Sequence, residues 1–222
     1  MTRQAILWDM DGTLLDSEPA HAAAFDEALR ELGLRVSGDF QDRLLGASDD
    51  QVHALLVEAT GATLTLSEWR AVKWRYFERN ADRIVLRDAV AALARRLAEG
   101  GVPMAVVSNS TADEVAFCLR VSGLARLFSL TISRADVENG KPAPDGYLLA
   151  ASRLGVPPAS CVVVEDSPLG SRAGLAAGMT VLYHPQHAVC ASAIPGGARY
   201  VAPDQPLDSF LPAFSQEGEF LS

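Results

Sequence analysis

The spacing of apolar residues changes character along the chain. Ala5-Ile6-Leu7-Trp8 is a short continuous apolar run, the pattern of a buried strand. From Asp16 to Arg83 the apolar positions instead fall three and four residues apart. Phe25, Ala28, Leu29 and Leu32 outline a helix that stops at Gly33, and Val52, Leu55, Leu56 and Ala59 outline one that stops at Gly61. Trp69, Val72, Tyr76 and Phe77 mark a third, with Ser67 as its expected cap and Arg70 and Lys73 on its polar side. Trp69 and Trp74 read as packing residues. This stretch predicts a small bundle made only of helices.

After Arg83, helix and strand patterns alternate. Val90, Leu93, Ala94 and Leu97 predict a helix closed by Gly100-Gly101, followed by the strand Met104–Val107. A helix around Val115–Leu119 and the strand Leu130–Ile132 come next, then a helix over Tyr147–Leu154 and the strand Val162–Glu165. Pro168–Ala177 reads as helix, Met179–Tyr183 as strand, and Leu207–Phe214 as a short docking helix. Such alternation predicts an α/β fold, a parallel sheet with helices on both faces. Ligands of these sheets bind at the carboxyl ends of the strands. The unusual polar clusters all fall at that edge: Asp9 and Asp11, Ser108-Asn109, Lys141, and Glu165-Asp166.

Composition narrows the classes. With 222 residues, 49% of them apolar, the chain fits one large domain or a core carrying a smaller insertion. A formal net charge of −9 argues against nucleic acid or an anionic membrane as the partner. Cys118, Cys161 and Cys190 lie far apart without zinc spacing and read as reduced structural thiols. No apolar run approaches the ~20 residues that span a bilayer. The first strand begins by Ala5, which leaves no room for a secretory signal. The expectation is a soluble, cytoplasmic, monomeric protein.

Asp9 and Asp11 sit on alternate residues at a strand end, so their side chains start on the same side. Carboxylates aimed into one crevice repel, which points to a bound metal, a shared proton, or both. A strand followed by a plain Asp-Gly turn is the simpler reading of these residues alone. In the chemical reading, Asp9 is a nucleophile for phosphorus, and Asp11 protonates the leaving alkoxide and then takes a proton from water. Gly12 lets the backbone come close to a phosphoryl oxygen. Asp166, with Glu165 beside it, would anchor a metal, although Asp166-Ser167-Pro168 also makes a good helix start. Oxygen ligands from Asp9, Asp11, Glu165 and Asp166 suit Mg²⁺. Ser108 and the amides that follow it form a phosphate cradle or an ordinary helix cap. Lys141, on a segment stiffened by Pro142 and Pro144, is a phosphate-binding charge or a solvated surface lysine. His21 and Lys73, on the helical stretch, are candidates for substrate contact, with Arg43 and Arg75 weaker ones.

Asp9-Met10-Asp11-Gly12-Thr13-Leu14-Leu15-Asp16-Ser17-Glu18, Ser108-Asn109, Gly140-Lys141-Pro142 and Glu165-Asp166-Ser167, followed by Ala173-Gly174 and Ala177-Gly178, resemble the haloacid dehalogenase superfamily. Within it, the chain is similar to phosphatases and mutases related to β-phosphoglucomutase. The resemblance implies a Rossmann-like core (1–15 and 84–222) and a helical cap (16–83). It implies Mg²⁺-dependent phosphoryl transfer to and from a small phosphorylated metabolite through an aspartyl phosphate. It assigns Asp9 as nucleophile, Asp11 as acid/base, Gly12, Ser108, Asn109 and Lys141 to phosphate, and Asp9, Asp11, Glu165 and Asp166 to metal. His21 and Lys73 match cap positions near substrate. Asp11 speaks against a dehalogenase. Around Gly46-Ala47-Ser48, Asp49-Asp50 stands where the mutases carry an arginine for a distal phosphate, which disfavours a mutase. Arg87-Asp88 stands where a Pro-Gly pair is usual. A phosphatase of small phosphomonoesters, sugar phosphates foremost, is the expected activity; a phosphosugar mutase or a silent scaffold are the rivals.

Overall fold

The computed structural model describes residues 4–37, 40 and 49–211. Its contacts divide the chain into Met1–Asp16 with Val85–Ser222, and Ser17–Ile84. In chain order the first part carries β1 (Ala5–Trp8) and β2 (Leu15–Asp16). The second holds α1 (Glu18–Glu31), α2 (Asp49–Thr60) and α3 (Leu66–Arg79). The chain then returns through β3 (Val85–Leu86), α4 (Asp88–Glu99), β4 (Met104–Val107), α5 (Ala112–Val121) and β5 (Leu130–Ile132). α6 (Asp145–Leu154), β6 (Cys161–Glu165), α7 (Pro168–Ala176), β7 (Thr180–Tyr183) and β8 (Arg199–Tyr200) follow.

β1, β4 and β6 are buried along their whole length. Continuous burial is what strands covered on both faces require, and it is why their sequences are apolar runs rather than alternating ones. They form the centre of a six-stranded sheet of order β5-β4-β1-β6-β7-β8. Every pairing in it is parallel, with Trp8 opposite both Val106 and Val164. On one face, Leu7, Ala105 and Val163 pack with Tyr147 and Ala150 of α6 and Ala173 of α7. The opposite face, with Ile6, Trp8 and Met104, is buried as well. From β1 the chain winds outward to β4 and β5, then returns to β6 on β1's other side. That reversal opens a crevice at the carboxyl end of β1.

The helical unit has its own core of Phe25, Ala28, Leu29, Phe40, Val52, Leu56, Trp69 and Val72. Phe25 meets Trp69 edge to face at 5.5 Å. Trp69 is fully buried, and Trp74 lies half-buried beside Phe77.

Several sequence expectations need correction. Asp16 belongs to β2, which pairs antiparallel with β3, so the stretch from Asp16 is not purely helical. β8 is a further strand the pattern did not announce. The cap of α3 is Thr65, whose hydroxyl accepts from Glu68 N–H while the Glu68 carboxylate accepts from Thr65 N–H; Ser67 lies inside the helix. Leu207–Phe210 is a 3₁₀ turn, and the rest of the expected Leu207–Phe214 helix lies outside the described residues save Leu211. The cysteines are free, Cys118 and Cys161 buried but Cys190 exposed, so Cys190 is no core thiol. Among the described residues, no helix is long and apolar enough to cross a membrane.

The reciprocal cap makes a discriminating prediction. Thr65→Ala lowers the stability of the helical unit by about 1 kcal/mol, read by urea denaturation followed by circular dichroism. Ser67→Ala stays within about 0.5 kcal/mol of wild type.

Candidate active site

Asp9 continues the line of β1, its N–H donating to the Val164 carbonyl at 3.0 Å, and its residue is only 8% exposed. The backbone then folds into a tight turn in which the amides of Thr13, Leu14 and Leu15 converge on the Met10 carbonyl. Gly12 closes it at φ +84°, a region that L side chains rarely adopt. A second constraint acts on the same residue: a Cβ there would overlap the Asp166 carboxylate. Gly12 therefore allows the turn and the end of β6 to touch.

Lys141 reaches the same place from the loop after β5. Its ammonium has three protons and three acceptors: Asp9 Oδ1 at 2.5 Å, Glu165 Oε1 at 2.7 Å and the Val107 carbonyl at 2.8 Å. The side chain is 7% exposed, which removes the solvated-surface reading. Asn109 fixes the loop, its Oδ1 accepting from Lys141 N–H and its Nδ2 donating to the Lys141 carbonyl. Both ends of the Asn109 amide are thus engaged by the backbone of one residue.

Glu165 is fully buried and heavily bonded. Oε1 accepts from Lys141 and from the Tyr147 hydroxyl at 2.7 Å, and Oε2 accepts from Ser167 N–H and its hydroxyl. No side chain fits at Gly170, because a Cβ there would overlap the Glu165 carboxylate. Ser167, not Asp166, caps α7 by accepting from Gly170 N–H. Asp166 is thereby left facing the crevice, where Thr13 Oγ1 donates to it at 3.4 Å.

Electrostatics follow from this crowding. Burial, opposed by Lys141 and reinforced by Glu165 and Asp166, holds the Asp9 carboxyl well above the usual range. Burial and the Glu165 charge push Asp166 up to about 7, against the pull of Lys141 and Arg87. Burial disfavours the Lys141 ammonium, yet Asp9 and Glu165 outweigh it and hold the group above its ordinary value. Three carboxylates face one lysine. Asp9 Oδ2 is buried without a hydrogen-bond partner, and Asp9, Glu165 and Asp166 each bring an oxygen within 4.8 Å of the others. A divalent cation fits this donor set: the ligands are hard oxygens, and the excess charge is negative.

Asp11 and Ser108 stand on the flank. Ser110 Oγ donates to Asp11 Oδ2 at 3.2 Å, and Ser108 Oγ accepts from Ser110 N–H. Ser108 is not the cap of α5; Thr111 is. Asp9, Gly12, Lys141, Glu165 and Asp166 are thus joined directly, with Asn109 one link away. His21 and Lys73 belong to the helical unit, where the His21 ring stacks on Phe77 at 4.3 Å and Lys73 lies on α3. Arg75 is engaged by Glu31, while Arg43 and Gly46-Ala47-Ser48 lie outside the described residues. Tyr147 and Ser110 were not singled out in the sequence. A phenol at an apolar helix position reads there as core, and Ser110 reads as part of a turn.

Comparison with known proteins gives this geometry a context. A family model described as haloacid dehalogenase-like hydrolase matches residues 4–178. The fructose-1-phosphate phosphatase YqaB of Escherichia coli K12 is 34% identical over 178 residues, covering 78% of this chain and 92% of that protein. The phosphorylated carbohydrates phosphatase of Thermotoga maritima is 28% identical over 191 residues, covering 84% and 87%. The fold matches a solved β-phosphoglucomutase-like protein from Thermotoga maritima with a TM-score of 0.80 at 26% identity, over 93% of this chain and 98% of that one. Because the family model spans residues 4–178 of 222 and takes in every strand-end cluster described above, the chain belongs to the haloacid dehalogenase-like hydrolase family.

Proposed function

We propose that this hydrolase is a Mg²⁺-dependent phosphatase of small phosphomonoesters, sugar phosphates and related metabolites first among them. The observation that carries the reading is Asp9: one oxygen is held by Lys141, and the other is buried with no hydrogen bond. A carboxylate so placed is oriented, and its second oxygen lacks the donor or cation that burial calls for. The phosphatase names of the Escherichia coli and Thermotoga maritima relatives support the substrate class.

Asp9 attacks phosphorus, the ester P–O bond breaks, and the departing alkoxide takes the Asp11 proton. Asp11, now a carboxylate, accepts a proton from water as the water oxygen attacks the aspartyl phosphate. The P–O bond to Asp9 then breaks, releasing inorganic phosphate and restoring the Asp9 carboxylate. Lys141 fixes Asp9 and offsets charge near the phosphoryl oxygens. Asn109 acts on phosphate through the Lys141 peptide it holds, and Ser108 with the Gly12 turn lines the phosphate side. Asp9, Asp166, Glu165 and the Asp11 backbone are the candidates to hold Mg²⁺, which when bound neutralises the carboxylates and the phosphoryl charge. The helical unit, entered after Asp16 and left before Val85, is read as a cap, with His21 and Lys73 as its candidate substrate residues.

The likeness to a β-phosphoglucomutase-like protein keeps a mutase as a second reading. Asp50, on the unit read as a cap, argues for a phosphatase: it is acidic and pairs with Arg70 at 3.2 Å. Given β-glucose 1-phosphate, with or without the 1,6-bisphosphate, the protein should release phosphate and form no glucose 6-phosphate.

Asp9→Ala abolishes hydrolysis of p-nitrophenyl phosphate in Mg²⁺, and Asp11→Asn lowers kcat by about 10²–10⁴-fold while substrate still binds. Residual wild-type turnover in Asp9→Ala would remove it as nucleophile.

A carboxyl with its pKa near 7 is protonated below that pH, so a cation binding Asp166 there must displace a proton. Mg²⁺ affinity, measured by calorimetry without substrate, should weaken as the pH falls below about 7, by roughly tenfold or more per pH unit. Affinity that stays constant down to about pH 5.5 contradicts the assignment of Asp166.

A further inference from the structure

Arg87 is the residue of this chain that stands where the resembled group carries the proline of a Pro-Gly pair. It precedes α4 directly after β3, half-buried. Its Nη1 donates to the Gly12 carbonyl at 2.6 Å and the His184 carbonyl at 2.9 Å, and Nη2 reaches the Pro185 carbonyl at 3.5 Å. Its own N–H donates to the Leu14 carbonyl at 3.1 Å. We propose that Arg87 is a positioning residue for phosphoryl transfer, holding the Asp11–Gly12 turn at a set distance from Asp166.

The hydrogen bonds close a ring. Gly12 touches the Asp166 carboxylate, Asp166 follows Glu165, and the Glu165 carbonyl accepts from His184 N–H at 2.6 Å. The His184 carbonyl accepts from Arg87, and Arg87 returns to Gly12. Asp11 and Asp166 lie beyond the paired ends of β1 and β6, so the sheet ladder itself does not reach them. The Gly12–Thr13 peptide is pinned at both poles, its carbonyl by Arg87 and its N–H by Met10. Glycine is the residue with the most backbone freedom, and here that freedom sits one position after the candidate acid/base. A planar fork spanning two segments is what holds it; an ammonium has no such shape, and a proline no side-chain donor at all.

The guanidinium also feels the site's charge. Burial lowers its pKa, and the Asp166 and Asp16 carboxylates counter that. Its bonded acceptors are nonetheless neutral carbonyls, so the contribution is geometric more than electrostatic.

The inference rests on the phosphatase reading for its kinetic consequence but not for its structural one. Arg87→Met and Arg87→Lys are compared with wild type by hydrogen exchange at the Thr13, Leu14 and Leu15 amides, and by kcat and KM for p-nitrophenyl phosphate in Mg²⁺. Losing hydrogen bonds from a charged donor should speed exchange in the turn by about tenfold or more in both variants, with β4 and β6 amides unchanged. It should lower kcat by about tenfold while KM stays within about threefold. Exchange at wild-type rates in the turn, or kcat at the wild-type value in an active protein, overturns the proposal. A general loss of fold would slow no single step and would raise exchange in β4 and β6 as well; if Arg87→Met behaves so, Arg87→Lys decides. A wild-type protein inert toward phosphate esters sinks the phosphatase reading, while turn exchange still decides the role of Arg87.

Discussion

A single buried ammonium organises the strand-end edge of the sheet. Lys141 gives one proton to Asp9, one to Glu165 and one to the Val107 carbonyl, and so ties together the ends of β1, β6 and β4. Neither carboxylate would be tolerable there without it, since an unpaired buried charge costs several kcal/mol. Equally, the lysine needs both: burial alone would lower its pKa, and the two carboxylates reverse that. The balance is incomplete: among the described residues one oxygen of Asp9 has no hydrogen-bond partner, and three carboxylates gather around the one lysine. A divalent cation would supply the missing positive charge.

Everything around the lysine serves to hold it there. Asn109 grips its peptide, Tyr147 and Ser167 occupy the remaining faces of Glu165, and Gly170 leaves the room that carboxylate needs. These helpers come from the loop after β4, from α6 and from α7, elements that the parallel topology gathers at one edge. Glu165, held on both oxygens, fixes Lys141 and through it Asp9, and such rigidity is what the proposed nucleophile would require.

Much of the fold was readable because β1, β4 and β6 are unbroken apolar runs and the helices between them have a clear period. Two-residue strands have no period, so β2, β3 and β8 carried no signal. Thr65 and Ser67 are both plausible caps, and what separates them is Glu68 three residues after Thr65, which completes the reciprocal cap. At the site, the residues that end strands were legible, since a charged group after an apolar run is conspicuous. The supporting residues were not. Tyr147 looks like core, and Arg87 finds its carbonyl partners 75 and 97 positions away. No local pattern encodes a contact of that kind.

Glu165 and Asp166 illustrate how two adjacent carboxylates divide their work. Glu165 ends β6, points into the protein and receives donors on both oxygens, so any cation would compete with Lys141, Tyr147 or Ser167 for it. Asp166, one residue beyond the strand, receives a long bond from Thr13 and brings an oxygen within 4.8 Å of the other two carboxylates. The inner carboxylate fixes the lysine and hence Asp9, the proposed nucleophile; the outer one is a proposed ligand for a cation.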